Sequence, residues 1–263
     1  MTPTTPPLIT GSGPGLLLAH GAGSDVQDSF GPLLPALAER YTVVGADYPG
    51  SGAQPPTDDA LSLDLLADRV VGSADEAGLG TFAVVGFSMG TAVAVRAATR
   101  HPDRVRALVL SAGLAAPSPR LRLAVDTWRA LERSENPEVL AAYLSLLVNS
   151  RAWLDGRSHE QIRAQISRFQ EAVPTGSGAQ LELLRGVDVR GDLAHVTVPT
   201  LVVSPTDDLL VSPGHSRELL AGIDGARLVE LDCGHAVADE CAREWTDAIT
   251  GFLDTVPLDA ADR

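Results

Sequence analysis

A serine hydroxyl becomes an effective nucleophile only when a base takes its proton during attack. Ser88 stands in "VVGFSMGTAV" (84–93), after a β-branched apolar run and before a helix-like one. A sharp strand-to-helix turn there would push its hydroxyl outward and crowd the backbone on either side. Gly86 and Gly90 relieve that crowding. The turn also aims the first N–H groups of the helix at the serine, where they favour negative charge. A Gly-x-Ser-x-Gly run alone is a moderate signal, since a buried serine among packed glycines also gives it, so its partners must decide.

The base should be a histidine at the same edge of the fold. Six are present, at 20, 101, 159, 195, 215 and 235. His235, in "LDCGH", follows the last predicted strand, with Gly234 turning the chain before it. That places it at a strand's carboxyl end, where open α/β sheets form their sites. His101 ends a helix in "RHPDRV", His159 lies in a helical region, and His195 and His215 flank the strand at 199–205. These four read as structural, surface or capping residues. The third member is a carboxylate that orients the imidazole. "LVVSPTDDLLVSP" offers Asp207 and Asp208 after the next-to-last strand, where the alternative is a solvated turn. The order serine, acid, histidine, each at a strand's carboxyl end, favours the chemical reading.

Acyl transfer also needs donors for an oxyanion. Met89, after the nucleophile, can supply its N–H. The second donor is expected from the loop after the first long strand, "AHGAGS" (19–24), at Ala22. His20 is read as shaping this loop and not as a base.

The elements that must hold these groups follow from periodicity. Apolar runs at 15–21, 41–50, 82–88, 105–113, 199–205 and 226–234 predict parallel strands covered on both faces. Segments at 29–40, 61–78, 90–100, 212–223 and 242–256 carry helical spacing. Alternation of the two predicts an α/β fold, a mostly parallel open sheet with helices on both faces. The pattern breaks between 114 and 190. Leu121, Val125, Trp128 and Leu131 suggest one helix, Leu140, Tyr143, Leu144 and Leu147 a second, and Ile162, Ile166 and Phe169 a third, with "PTGSG" (174–178) interrupting. The expectation is a core domain of 1–113 and 191–263 with a helical lid, 114–190, inserted over one end of the sheet. Trp128, Trp153 and Tyr143 are candidates for lining a substrate pocket beneath it. The alternative is that the tryptophans only pack the insertion onto the core.

The chain has 263 residues, 44% of them hydrophobic and 21% charged, which suits a globular protein. Acidic residues outnumber basic ones by 34 to 20, a net charge of -14 that repels phosphate backbones and anionic membranes. "MTPTTPPLIT" lacks the basic and apolar regions of a secretory signal, and no run reaches the ~20 apolar residues that span a bilayer. Two cysteines, Cys233 and Cys241, make no disulfide framework, and Cys233 reads as a packed thiol. A cytoplasmic protein with a small-molecule substrate is expected, without nucleic acid or membrane partners; homo-oligomerisation is left open. The scattered histidines suggest no metal site. "GSGPG" (11–15) is no phosphate loop, since Pro14 removes a donor and no Lys-Ser/Thr follows.

Taken together, "HGAGS", "DYPGSG" (47–52), "GFSMG", "HPDRVRALVLSAG", "PTLVVSPTDDLLVSP" and "CGH" resemble the lidded α/β-hydrolase fold from about Leu16 to His235. The resemblance implies a Ser88–Asp208–His235 triad. The family's acid usually precedes a valine by three positions, as Asp208 precedes Val211, which favours Asp208 over Asp207. It implies a cofactor-free serine hydrolase, without metal, that cleaves a small or medium, partly apolar ester, lactone or thioester through an acyl-enzyme. The same triad elsewhere supports perhydrolysis, carbon–carbon bond hydrolysis, or biosynthetic cyclisation and dehydration. A non-catalytic ligand receptor is the rival outside catalysis. Two features depart from the pattern. The first long strand begins near Gly15, so the usual N-terminal hairpin must be short or partly missing. Pro205 stands where the acid loop usually has glycine.

Overall fold

A computed structural model describes residues 5–57, 59–134, 136–172 and 176–258. Among them, seven strands form one sheet: β1 (Leu8–Thr10), β2 (Gly15–Ala19), β3 (Thr42–Gly45), β4 (Phe82–Phe87), β5 (Val105–Ser111), β6 (Thr200–Pro205) and β7 (Arg227–Leu231). Their spatial order is β1-β3-β2-β4-β5-β6-β7. Only β1 is antiparallel to its neighbour, pairing Ile9 with Val44; every other pair is parallel.

The central strands read as unbroken apolar runs because both faces are covered. Side chains alternate across the sheet, so Leu17 and Val84 enter one apolar layer while Leu16, Leu18 and Val85 enter the other. β7 departs from that expectation. It is an edge strand with Arg227 and Glu230 exposed, and the polar residues inside its run record this. The short N-terminal hairpin is reduced to three residues of β1 on the opposite edge.

Four helices precede β5: α1 (Val26–Phe30), α2 (Leu34–Ala38), α3 (Leu63–Glu76) and α4 (Met89–Arg100). Between β5 and β6 come α5 (Pro119–Arg133), α6 (Pro137–Val148), α7 (Arg151–Asp155), α8 (His159–Ala172), α9 (Ser177–Gly186) and α10 (Arg190–Leu193). α11 (Pro213–Gly222), α12 (Val237–Glu240) and α13 (Ala242–Leu253) complete the chain. α3 and α4 cover one face through Leu66, Val70, Val93 and Ala97; α13 covers the other through Trp245, Ile249 and Phe252. No helix of the described residues is long and apolar enough to cross a membrane.

The insertion helices start where local chemistry dictates. Ser118 accepts the Leu121 N–H and Asn136 the Val139 N–H, and a proline follows each cap at the first helical position. Periodicity anticipates α5, α6 and α8 but not α7 or α9. α7 buries no residue fully and so shows no apolar period. α9 opens in the "PTGSG" stretch read as a break; Pro174 and Thr175 of that stretch lie outside the described residues, while Gly176 caps a helix that buries Gln180, Leu181 and Leu184.

Candidate active site

Ser88 follows β4 directly and has φ 54° and ψ -123°, a left-handed conformation costly for any residue with a Cβ. The surrounding packing holds it there. A Cβ on Gly90 would overlap the Ala19 carbonyl, and one on Gly86 would lie 2.5 Å from the Gly90 oxygen. Glycine is required at both positions for the helix to sit this close to the sheet. Thr91 completes the turn: its hydroxyl donates to the Ser88 carbonyl at 2.7 Å and accepts the Leu114 N–H at 3.2 Å. The Ser88 N–H donates to the Ser111 carbonyl at 2.9 Å.

His235 reaches Ser88 from the loop after β7. Its Nε2 lies 3.1 Å from Ser88 Oγ, and its Nδ1 lies 2.7 Å from Asp208 Oδ2. Asp208 is itself fixed, its Oδ1 accepting the N–H groups of Leu210 (2.9 Å) and Val211 (2.7 Å). All three side chains are buried. Phe87 packs against the His235 ring at 5.1 Å, and Trp245 packs behind Phe87 while its indole N–H donates to Ser111 Oγ. Asp207 points elsewhere. It accepts from the backbone and guanidinium of Arg151 at the start of α7, which hold its carboxyl below the usual range. Adjacent aspartates thus serve opposite directions: one meets the histidine, the other the insertion.

Ala22 and Met89 occupy the places expected of oxyanion donors. Met89 opens α4, so its N–H has no partner within the helix. Among the described residues, nothing accepts from the Ala22 N–H. His20 underlies this loop. Its Nδ1 donates to the Gly21 carbonyl at 2.8 Å and its Nε2 accepts the Tyr48 N–H at 3.0 Å. Complete burial pushes its pKa down to about 3, so it is neutral and has no free lone pair for a substrate. Cys233 lies 2.7 Å from Cys241, both buried. The contact with Cys241 and burial push its thiol far up, so it supplies no thiolate.

A cavity of about 130 Å³ opens beside Ser88, roughly ten times what one water needs. Its walls include Val125, Trp128, Leu144, Val148, Phe169 and Leu184, all from the helices between β5 and β6. Asp28 and Asp239 also line it. Asp28 keeps one side open to solvent, yet the protein packed around it and the neighbouring Asp25 and Asp239 raise its pKa. Two expected pocket residues are not on this wall. Tyr143 precedes Leu144 and so points about 100° round α6, where its hydroxyl donates to the Ala124 carbonyl at 3.0 Å. Trp153 lies on α7, and Arg157 stacks over its ring at 4.0 Å. Leu144 and Val148, four residues apart on one helical face, take the place assigned to Tyr143.

Other positioning residues were not singled out in the sequence. Glu240 accepts the N–H groups of Gly234 (3.0 Å) and Ser150 (2.8 Å), clamping the histidine loop to the end of α6. Gln180, on α9, accepts the Gly23 N–H at 2.9 Å. Neither carries a motif; a buried polar residue inside an apolar helical face, as Gln180 is in "SGAQLELLRG", is the only trace. Among the described residues, no group of three or more His, Cys, Asp or Glu could hold a metal ion.

A parallel sheet with one antiparallel edge, a strained serine between β4 and α4, and an acid and histidine from the last two strand ends define a class of fold. The chain belongs to the alpha/beta hydrolase family, whose family model matches residues 16–248. It is 32% identical over 247 residues to pyrrolizixenacetamide deacetylase of Xenorhabdus hominickii, covering 93% of this chain and 92% of the relative. It is also 32% identical to the pimeloyl-[acyl-carrier protein] methyl ester esterase of Nitrosomonas europaea, over 86% of this chain and 90% of that one. Among solved structures, the enol-lactonase from Burkholderia xenovorans LB400 superposes with a TM-score of 0.83 at 26% identity, covering 94% and 95% of the two chains.

Proposed function

We propose that this protein is a serine hydrolase that cleaves a small or medium, partly apolar ester, lactone or thioester through an acyl-enzyme. The observation that carries the reading is the relay Ser88 Oγ–His235 Nε2–His235 Nδ1–Asp208 Oδ2, at 3.1 and 2.7 Å, opening into an apolar cavity. Asp208 accepts the Nδ1 proton, which leaves the Nε2 lone pair facing the serine hydroxyl. As Ser88 Oγ bonds to the acyl carbon, His235 takes its proton. The carbonyl oxygen becomes an oxyanion that accepts from the Met89 and Ala22 N–H groups. Collapse breaks the bond to the leaving oxygen or sulfur, which receives the proton from His235. Water then gives a proton to His235 and attacks the acyl carbon, the Ser88 ester breaks, and the proton returns to Ser88.

The relatives' names support the breadth of this class. A deacetylase, a methyl ester esterase and an enol-lactonase are all similar to this chain over most of its length. The apolar cavity wall favours an alkyl or aromatic part in the substrate. The test is Ser88→Ala against a panel of p-nitrophenyl esters with acyl chains of increasing length. Turnover should fall by about 10⁴-fold or more, and labelling by a fluorophosphonate should disappear. Undiminished turnover in that variant would overturn the reading.

A further inference from the structure

Gln180 is fully buried on α9, beside the buried Leu181 and Leu184 and one turn after the buried Ser177. Its amide joins three pieces of chain. Oε1 accepts the Gly23 N–H at 2.9 Å; Nε2 donates to Ser51 Oγ at 2.7 Å and to the Pro49 carbonyl at 3.4 Å. The orientation of the amide is dictated by its partners, since an N–H can only donate and a carbonyl can only accept. Ser51, also fully buried, passes the restraint on by donating to the Ser24 carbonyl at 2.7 Å. Gly23 and Ser24 are therefore both tied, directly or through one hydroxyl, to a side chain of the insertion.

These residues immediately follow Ala22. Gly23 is left-handed at φ 68°, and the Trp128 ring lies so close that a Cβ there would stand 2.6 Å from it. The base of α9 meets the core equally closely. The Gly176 N–H donates to the Gly50 carbonyl at 3.0 Å, and a Cβ on Gly50 would overlap the Gly176 backbone. A loop made of Gly21, Ala22 and Gly23 has little stiffness of its own. Its geometry is supplied from outside, by His20 below and by α9 and Trp128 above.

We infer that Gln180 is a positioning residue for the oxyanion loop, so that the helical insertion sets transition-state stabilisation as well as roofing the cavity. The inference rests on the serine-hydrolase reading with Ala22 as a donor. It separates two roles that a roof alone would merge. A residue that only roofs the cavity changes ground-state binding, whereas one that aims an oxyanion donor changes the chemical step.

The experiment compares wild type with Gln180→Met, an unbranched replacement of similar length that makes none of the three hydrogen bonds. The readout is the saturation kinetics of Ser88 phosphonylation by an alkyl fluorophosphonate, followed by intact mass, which needs no natural substrate. The limiting rate constant should fall about ten- to hundredfold with the half-saturation concentration within about threefold. Affinity for an alkylboronic acid, which forms a tetrahedral adduct on the serine, should fall in step. A folded Gln180→Met protein with a wild-type limiting rate, or with its loss confined to half-saturation, overturns the inference. Should that variant not fold, Gln180→Asn decides. Its shorter amide cannot span Gly23 and Ser51 together, so the same split at about three- to tenfold supports the inference and an unchanged limiting rate overturns it. Ser88→Ala is the control for the underlying reading, because labelling that persists there sinks the serine-hydrolase assignment itself.

Discussion

The rim of the sheet and the helices between β5 and β6 build the same site by different means. At the rim, each group is fixed several times over. Ser88 is held by the Gly86 and Gly90 contacts and by Thr91, Asp208 by two backbone donors, and His20 by hydrogen bonds at both ring nitrogens. The insertion instead contributes apolar side chains, among them Val125, Leu144, Val148, Phe169 and Leu184, which packing alone holds in place. The difference teaches where each kind of specificity resides. The rim gathers the polar groups that meet the serine; the insertion supplies much of the apolar wall beside them and reaches the Gly23 N–H through Gln180.

The largest expected effect breaks the rim while leaving the insertion intact. Asp208→Asn keeps the shape but replaces the acceptor that fixes the His235 tautomer. The kcat for a p-nitrophenyl ester should drop by about 10⁴-fold with KM little changed. Asp207→Asn is the matched control one residue away. It loosens an exposed pair with Arg151, whose side chain is 76% exposed, so activity should stay within about twofold. Equal losses in the two variants would erase the distinction between the aspartates.

A smaller effect concerns the pH dependence of the rim's stability. The folded protein keeps His20 neutral down to about pH 3, whereas an unfolded histidine takes up a proton near pH 6.5. Between those values the unfolded chain binds more protons, so stability is complete above about pH 6.5 and declines as the pH falls. The slope from this one group approaches about 1.4 kcal/mol per pH unit at most. Urea unfolding of wild type and His20→Gln at a series of pH values measures it. The variant should lose less stability than wild type between pH 6 and pH 4, even if it starts lower. Parallel curves would mean that His20 accepts a proton in the folded state.

The same contrast governs what was legible in the sequence. Ser88, His235 and the Asp207–Asp208 pair could be brought to one rim because turn chemistry is local and parallel strands put their carboxyl ends on one edge, whereas the choice of Asp208 came from the family resemblance. Thr91 carries no motif, yet its hydroxyl ties the serine turn to the chain just after β5. In the insertion, three helices were readable from period, but α7 and α9 were not, because a short half-buried helix leaves no stripe and Gly-Ser at a helix start mimics a break. Tyr143 and Trp153 were attractive as aromatic pocket residues. Their true directions depend on helix rotation, which packing decides and a heptad count does not.

That dependence gives the finest test of the comparison. Trp128 and Trp153 are both insertion tryptophans, but only Trp128 faces the cavity and the oxyanion loop. Trp128→Phe keeps an apolar ring and shortens the wall, so long-chain esters should lose about tenfold in kcat/KM, and short ones less. Trp153→Phe shrinks the ring on which Arg157 stacks and should leave the chain-length profile unchanged, at a stability cost of no more than about 0.5–1 kcal/mol. Acyl-chain profiles for the two variants, measured side by side, separate a wall residue from a packing residue. A Trp153 variant with an altered profile would mean that α7 reaches the cavity when substrate is bound. The division between a polar rim and an apolar roof would then extend to helices that this conformation holds apart from it.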